Sequence, residues 1–277
     1  MNGFKRMLLG HLFAAIFFSV LVCGAHAGNI SVERNIIWDD PNQLKADIFR
    51  PAEGANFPAV LLVHGGGWGA GDRSEMDWFG RRLAQEGWVA VSIDYRLVSL
   101  SKRILGDTAL SDVRNAVRSI REHATTLHVD PQRIAILGGS AGGHLAAMVA
   151  TDQDNLLRGA VMLWGPSDLT LARSALLPDQ FGMISSLLGA DYSSERARLA
   201  SPIWRISPSS APHWLLLHGD ADALVPVSQS RAFSAALMKS GIDAEYLELP
   251  GEGHGLRSPE AQERGAAAIV RFLKRIL

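Results

Sequence analysis

Cysteine is almost missing from this chain. The single one, Cys23, lies inside an N-terminal apolar stretch. The rest can form no intramolecular disulfide and offers no thiol nucleophile. A thiol-free chain suits an oxidising compartment. Excess charge is missing too: 27 Lys and Arg meet 28 Asp and Glu, for a formal net charge of −1. No basic run or basic-aromatic stripe points to nucleic acid, and no acidic tail points to a cationic partner. The H-E-x-x-H pattern is absent, and no close His/Asp cluster argues for a metal site. No repeat, low-complexity tract or interdomain linker divides the chain. Its 277 residues, 47% hydrophobic and 20% charged, suit one globular domain with a sizeable core.

The N-terminus reads as a leader. Lys5 and Arg6 precede an uncharged apolar run from Met7 to Val22, and Ala25-His26-Ala27 has the A-x-A form of a cleavage site. The expectation is a secretory signal peptide over 1–27 and a mature domain over 28–277 that is secreted or periplasmic, with no stable membrane insertion after cleavage. An uncleaved anchor is the alternative, because the run is near the length of a short spanning helix.

Eight strand-like segments can be read, at 30–37, 43–50, 58–63, 88–95, 133–137, 160–164, 213–217 and 244–249. From the third onward they are mostly short apolar runs, the pattern of strands buried on both faces of a parallel sheet. Helical patterns lie between them at 74–85, 110–125, 141–151, 227–240 and 259–277. This alternation predicts an α/β fold with a mostly parallel sheet covered on both faces. The first two strands have no helix between them and should form an antiparallel hairpin.

Three strand ends carry chemistry. The run Ile134 to Leu137 enters Gly138-Gly139-Ser140-Ala141-Gly142, and a helical pattern follows at once. A serine on such a strand–turn–helix corner is held out beside a helix N-terminus. The run Pro58 to Val63 ends in His64-Gly65-Gly66-Gly67-Trp68. Free N–H groups of Gly66 and Gly67, with that of Ala141 after the serine, can form an oxyanion hole. Downstream, Asp220 and Asp222 follow one strand and His254 follows another. The order Ser, Asp, His is the one used on α/β-hydrolase folds.

With these motifs the chain resembles the α/β-hydrolase superfamily, and within it the small carboxylesterases of the hormone-sensitive-lipase-like and BD-FAE (feruloyl/acetyl-xylan esterase-like) groups. The resemblance rests on His64-Gly-Gly-Gly-Trp68 with Gly71-Asp72, Asp94-Tyr-Arg96, Asp130-Pro131, Gly138-Gly-Ser-Ala-Gly-Gly-His144, Ser201-Pro202, His218-Gly-Asp-Ala-Asp222, Val225-Pro226 and Gly253-His-Gly255. It implies an eight-stranded α/β-hydrolase fold. It also implies a lid in the long connection between the sixth and seventh strands, a small cap insertion at about 167–211.

The expected roles follow. Ser140 is the nucleophile and His254 the base that takes its proton. Asp222 orients the imidazole; similarity to the family favours it over Asp220, whose other reading is a turn-forming residue. Trp68, Leu97, Trp164 and Trp204 are candidates to line the substrate pocket, and His144 to form its floor. His64 and His218 read as supports of their loops. No cofactor is needed. The expected reaction is hydrolysis of short-chain or aromatic carboxylic esters through an acyl-enzyme, with a small-molecule ester, or an acylated polysaccharide, as substrate. The alternatives are a formamidase resembling kynurenine formamidase, a prolyl-oligopeptidase-like peptidase and a non-catalytic binding protein.

Overall fold

The computed structural model describes residues 29–99, 106–152, 156–171 and 178–277. The leader expected over 1–27 lies outside them. Among the described residues, eight strands form one sheet: β1 (Ile30–Asp39), β2 (Leu44–Pro51), β3 (Phe57–Val63), β4 (Val89–Ile93), β5 (Val129–Gly139), β6 (Gly159–Leu163), β7 (His213–Gly219) and β8 (Asp243–Leu249). Their order across the sheet is β1-β2-β4-β3-β5-β6-β7-β8. β1 pairs antiparallel with β2, and β2 with β4. Every other neighbour is parallel. The hairpin expected at the N-terminal end is present, and the fold is that of an α/β-hydrolase.

The apolar runs are explained by what covers them. The main helices are α1 (Asp77–Gln85), α2 (Gly106–Glu122), α4 (Ala141–Ala150), α7 (Ser228–Lys239) and α8 (Pro259–Ile276), with a short α3 at Ala124–Leu127. Along β3, Ala59, Leu61 and Val63 face one core with Val113 and Val117 of α2, Leu145 and Val149 of α4 and Phe233 of α7. Val60 and Leu62 face a second core with Leu83 of α1 and Ile269, Phe272 and Leu273 of α8. Side chains alternate across a strand, so a strand covered on both faces must be apolar at every position.

Most element boundaries move by one to three residues from the sequence expectation, and two element starts differ by more. β5 begins at Val129 rather than 133, because Phe57 pairs with Val129 before a register shift brings Ala59 opposite Ile134. Asp130 and Pro131 hide this extension from a hydrophobicity pattern. α2 already includes Gly106, ahead of the expected 110, and packs there so closely that a Cβ on Gly106 would overlap Leu187.

Strand order reverses between β3 and β5, which are neighbours although β4 lies between them in sequence. At such a switch point the loops leaving two adjacent strands part to opposite sides and open a crevice at the carboxyl ends. Here those loops are the glycine run after β3 and the serine corner after β5. The β6–β7 connection contains α5 (Pro178–Leu188) and α6 (Ser194–Leu199) and crosses the same end.

Candidate active site

Ser140 joins β5 to α4 with φ 55° and ψ −122°. Left-handed φ at a non-glycine residue is strained and persists only where the surroundings enforce it. Ser140 N–H donates to Leu163 O of β6 (2.9 Å), and His144 N–H of α4 donates to Ser140 O (3.0 Å). Gly142 allows α4 to start this close to β3, since a Cβ there would overlap the carbonyl oxygens of Val63 and His64.

Ser140 Oγ lies 2.9 Å from His254 Nε2. His254 Nδ1 lies 2.8 Å from Asp222 Oδ2. The loops bearing Asp222 and His254 leave the adjacent strands β7 and β8 and are tied together: Asp220 N–H donates to Leu249 O and Ala221 N–H to Glu252 O. The Asp222 side chain is fully buried, while that of His254 keeps 19% of its surface exposed toward the crevice. Burial opposes a charge on Asp222. Hydrogen bonds from His218, His254 and the Val225 N–H outweigh it and hold the carboxyl far below the usual range. Asp222 is therefore ionised at any pH where His254 can act as a base. Asp220 is exposed, and its Oδ1 instead accepts from Gly251 N–H at 2.7 Å.

The glycine run lies beside the serine. Gly66 has φ 96° and Gly67 φ 57°. A Cβ on Gly66 would collide with Ala70 O. Among the described residues, the N–H groups of Gly66, Gly67 and Ala141 donate to no protein acceptor, and all three residues line the crevice with Ser140 and His254. Tyr95 fixes the run from behind: its hydroxyl donates to the carbonyls of His64 and Gly65, each at 3.1 Å. Its ring stacks on that of His64 with centroids 4.3 Å apart. His64 Nδ1 meets Gly65 O at 2.9 Å.

The crevice has a volume of about 530 Å³. Met183 and Ile184 of α5 wall it from the β6–β7 connection, and Leu224 and Val225 from the loop after β7. Of the pocket candidates, Trp68 and Trp164 line it and the other three do not. His144 is turned inward, with Nε2 2.8 Å from Ala200 O and Nδ1 3.2 Å from Trp68 Nε1. Burial pushes it down to a pKa of about 4, so it is neutral near pH 7. Leu97 packs against the core. Trp204 stands 55% exposed, and its indole N–H reaches Asp168, which does line the crevice.

Sequence reading missed several parts. Gln229 pins the strand-end loop after β6, its Oε1 accepting from Ser167 N–H (2.8 Å) and Asp168 N–H (2.7 Å). A glutamine in an amphipathic helix gives no signal of this. Tyr95 stood in a recognised motif with no role attached. His218 proves to be more than a loop support, since its Nε2 lies 3.1 Å from Asp222 Oδ2. Among the described residues, no group of three or more His, Cys, Asp or Glu is placed to hold a metal, and no helix is long and apolar enough to cross a membrane.

The fold and the site define the class, a serine hydrolase of the α/β-hydrolase superfamily and of its carboxylesterase branch. Known relatives agree. Esterase LipC of Mycobacterium tuberculosis (strain ATCC 25618 / H37Rv) is 33% identical over 92% of this chain and 68% of its own length. Esterase LipQ of the same strain is 35% identical over 80% of this chain and 56% of its own length. The chain thus spans between about half and two thirds of these curated relatives. Among solved structures, Thermogutta terrifontis esterase 2 phosphonylated by sarin superposes with a TM-score of 0.76 at 27% identity, over 90% of this chain and 95% of that one. The BD-FAE family model matches residues 46–237, and the chain belongs to the BD-FAE family.

Proposed function

We propose that this protein is a secreted or periplasmic serine carboxylesterase that hydrolyses short-chain or aromatic esters through an acyl-enzyme. The observation that carries the reading is the unbroken hydrogen-bonded line Asp222–His254–Ser140, ending at a crevice beside three unused N–H groups. A serine hydroxyl is a poor nucleophile unless a base takes its proton, and His254 is placed to do so. Ser140 Oγ attacks the ester carbonyl carbon while its proton passes to His254 Nε2. The carbonyl oxygen becomes an oxyanion that accepts from Gly66, Gly67 and Ala141 N–H. On collapse the C–O bond to the alcohol breaks, and His254 returns the proton to the departing oxygen. Water then attacks the acyl-Ser140 carbonyl with His254 as base, releasing the carboxylic acid and restoring Ser140.

Several features support the finer parts. The crevice is of small-molecule size, and Met183 and Ile184 wall one side of it. The 167–211 connection, acting as a small cap, would cover a small ester better than a lipid droplet. The A-x-A leader supports export. The family resemblance makes acyl groups on polysaccharide one candidate substrate class.

The test is hydrolysis of p-nitrophenyl acetate, butyrate and octanoate by the wild type and by Ser140→Ala, with acetylated xylan and N-formylkynurenine alongside. Turnover of esters by the wild type alone is expected, together with labelling of Ser140 by a fluorophosphonate. Formamide cleavage outrunning every ester would replace the reading with an amidase. Ester turnover retained in Ser140→Ala would refute it.

A further inference from the structure

Asp222 accepts from two histidines on one oxygen. His254 Nδ1 and His218 Nε2 lie 2.8 and 3.1 Å from Oδ2. The other oxygen, Oδ1, is already fixed by the N–H groups of Leu224 (2.8 Å) and Val225 (2.9 Å). His218 is completely buried on β7, and its Nδ1 lies 2.7 Å from the hydroxyl of Ser230, buried on α7.

The proton on His218 can be placed from its partners. Nε2 also lies 2.9 Å from Val225 O. A carbonyl and a carboxylate both only accept, so Nε2 carries the hydrogen and shares it between them. In the neutral ring Nδ1 then accepts from Ser230 O–H. The result is a continuous series, Ser230–His218–Asp222–His254–Ser140, running from a buried helix face to the nucleophile.

We propose that His218 is a positioning residue for the reaction: its Nε2–H holds Asp222 Oδ2 toward His254 and takes up part of that oxygen's charge, thereby setting the basicity of His254. This rests on the serine-esterase reading above. The two N–H groups on Oδ1 hold one end of the carboxylate; His218 fixes the other end, Oδ2, against His254 and withdraws charge from it. A carboxylate that gives up hydrogen-bonding capacity to a second donor stabilises a neighbouring imidazolium less. Few other charges compete here. Asp220 points to Gly251 N–H. Glu248 of β8 is close enough to His218 to interact, but Arg231 of α7 and the Tyr246 hydroxyl already engage it.

The experiment compares His218→Gln, which keeps an N–H near the Nε2 position, with His218→Leu made together with Ser230→Ala so that no buried hydroxyl is orphaned. The double variant should lose about tenfold in kcat, the size of one charge-assisted hydrogen bond, with KM within about twofold. Its acid limb should move to higher pH by about half a unit, because His254 becomes more basic. His218→Gln should keep the wild-type limb. Equal losses in both variants with an unmoved limb would reduce His218 to packing and overturn the proposal. Imidazole ¹⁵N shifts of the folded wild type give a readout that needs no variant and no turnover. They should show His218 protonated at Nε2, and an unprotonated Nε2 would also overturn it. If fluorophosphonate fails to label Ser140 in the wild type, it is the esterase reading that has failed.

Discussion

The indole N–H of Trp68, on the crevice wall, donates to Nδ1 of His144, buried one turn beyond the serine corner. The bond requires His144 to be unprotonated at Nδ1, and its Nε2–H is used on Ala200 O. The glycine run, α4 and the β6–β7 connection are thus joined through one neutral imidazole. Burial lowers its pKa from 6.5 to about 4. The unfolded chain therefore binds more protons than the folded one between those values, and stability rises with pH across the interval. The contribution is complete above about pH 6.5 and is lost as pH falls through about 4. Thermal melts should show Tm falling from pH 7 to 4, and His144→Phe should flatten that slope. An unchanged slope in the variant would show that other groups carry the acid sensitivity.

Asp222 and Asp220, two residues apart, should respond very differently to the same change. Asp222→Asn keeps the volume but disrupts the acceptor that fixes the His254 tautomer. Its kcat should drop by about 10³–10⁴ with the protein still folded, as expected for the acid of such a triad. Asp220→Asn removes only the charge behind one exposed bond to Gly251 N–H. It should stay within about threefold of wild type in kcat and lose under about 1 kcal/mol of stability. Paired kinetics and melts on the two variants check this, and a reversal would move the acid role to Asp220.

Most of the fold was legible because every strand from β3 to β7 contains an apolar run, and sheets covered on both faces leave that trace. Ser140, His254 and the glycine run were legible because each sits where a strand pattern meets glycine. Choosing Asp222 over Asp220 was not a matter of pattern, since both follow β7 and only family similarity separated them. The structure separates them physically by burial and by four hydrogen bonds to the Asp222 carboxylate. The pocket was least legible. Aromatic residues after strand ends are equally able to face the crevice or the core, and Leu97 and His144 turned away while Met183, Ile184 and Leu224 turned in. Those orientations depend on how the β6–β7 connection packs, which no local pattern records.

Gly142 sets the distance between α4 and the end of β3. A methyl group there would overlap two backbone carbonyls, of Val63 and His64, and neither can move without disturbing the strand or the glycine run. Gly142→Ala should therefore destabilise by about 1–3 kcal/mol, the usual range for overpacking a tight site. It should also lower kcat by more than the loss of folded protein explains, because Ala141 N–H and Ser140 shift with the helix. Urea melts and active-site titration together separate the two effects. An active, fully stable Gly142→Ala would mean the corner has slack that the present geometry denies.

Met183 faces the glycine run across the crevice, with its sulfur 2.7 Å from where a Cβ on Gly67 would stand. It is a wall that side-chain size controls directly, and it lies outside the reacting groups. Each methylene of an acyl chain that finds apolar cover contributes about 0.8 kcal/mol, or roughly fourfold in kcat/KM when the contact persists in the transition state. Met183→Ala should lengthen the space along this wall, raising kcat/KM for p-nitrophenyl octanoate relative to butyrate by about tenfold. Met183→Trp should do the opposite and leave the acetate ester least affected. Both variants should keep the wild-type pH profile, since neither touches Asp222, His254 or Ser140. If the chain-length profile is the same in all three proteins, the acyl chain does not run along α5, and the wall formed by Leu224 and Val225 becomes its place.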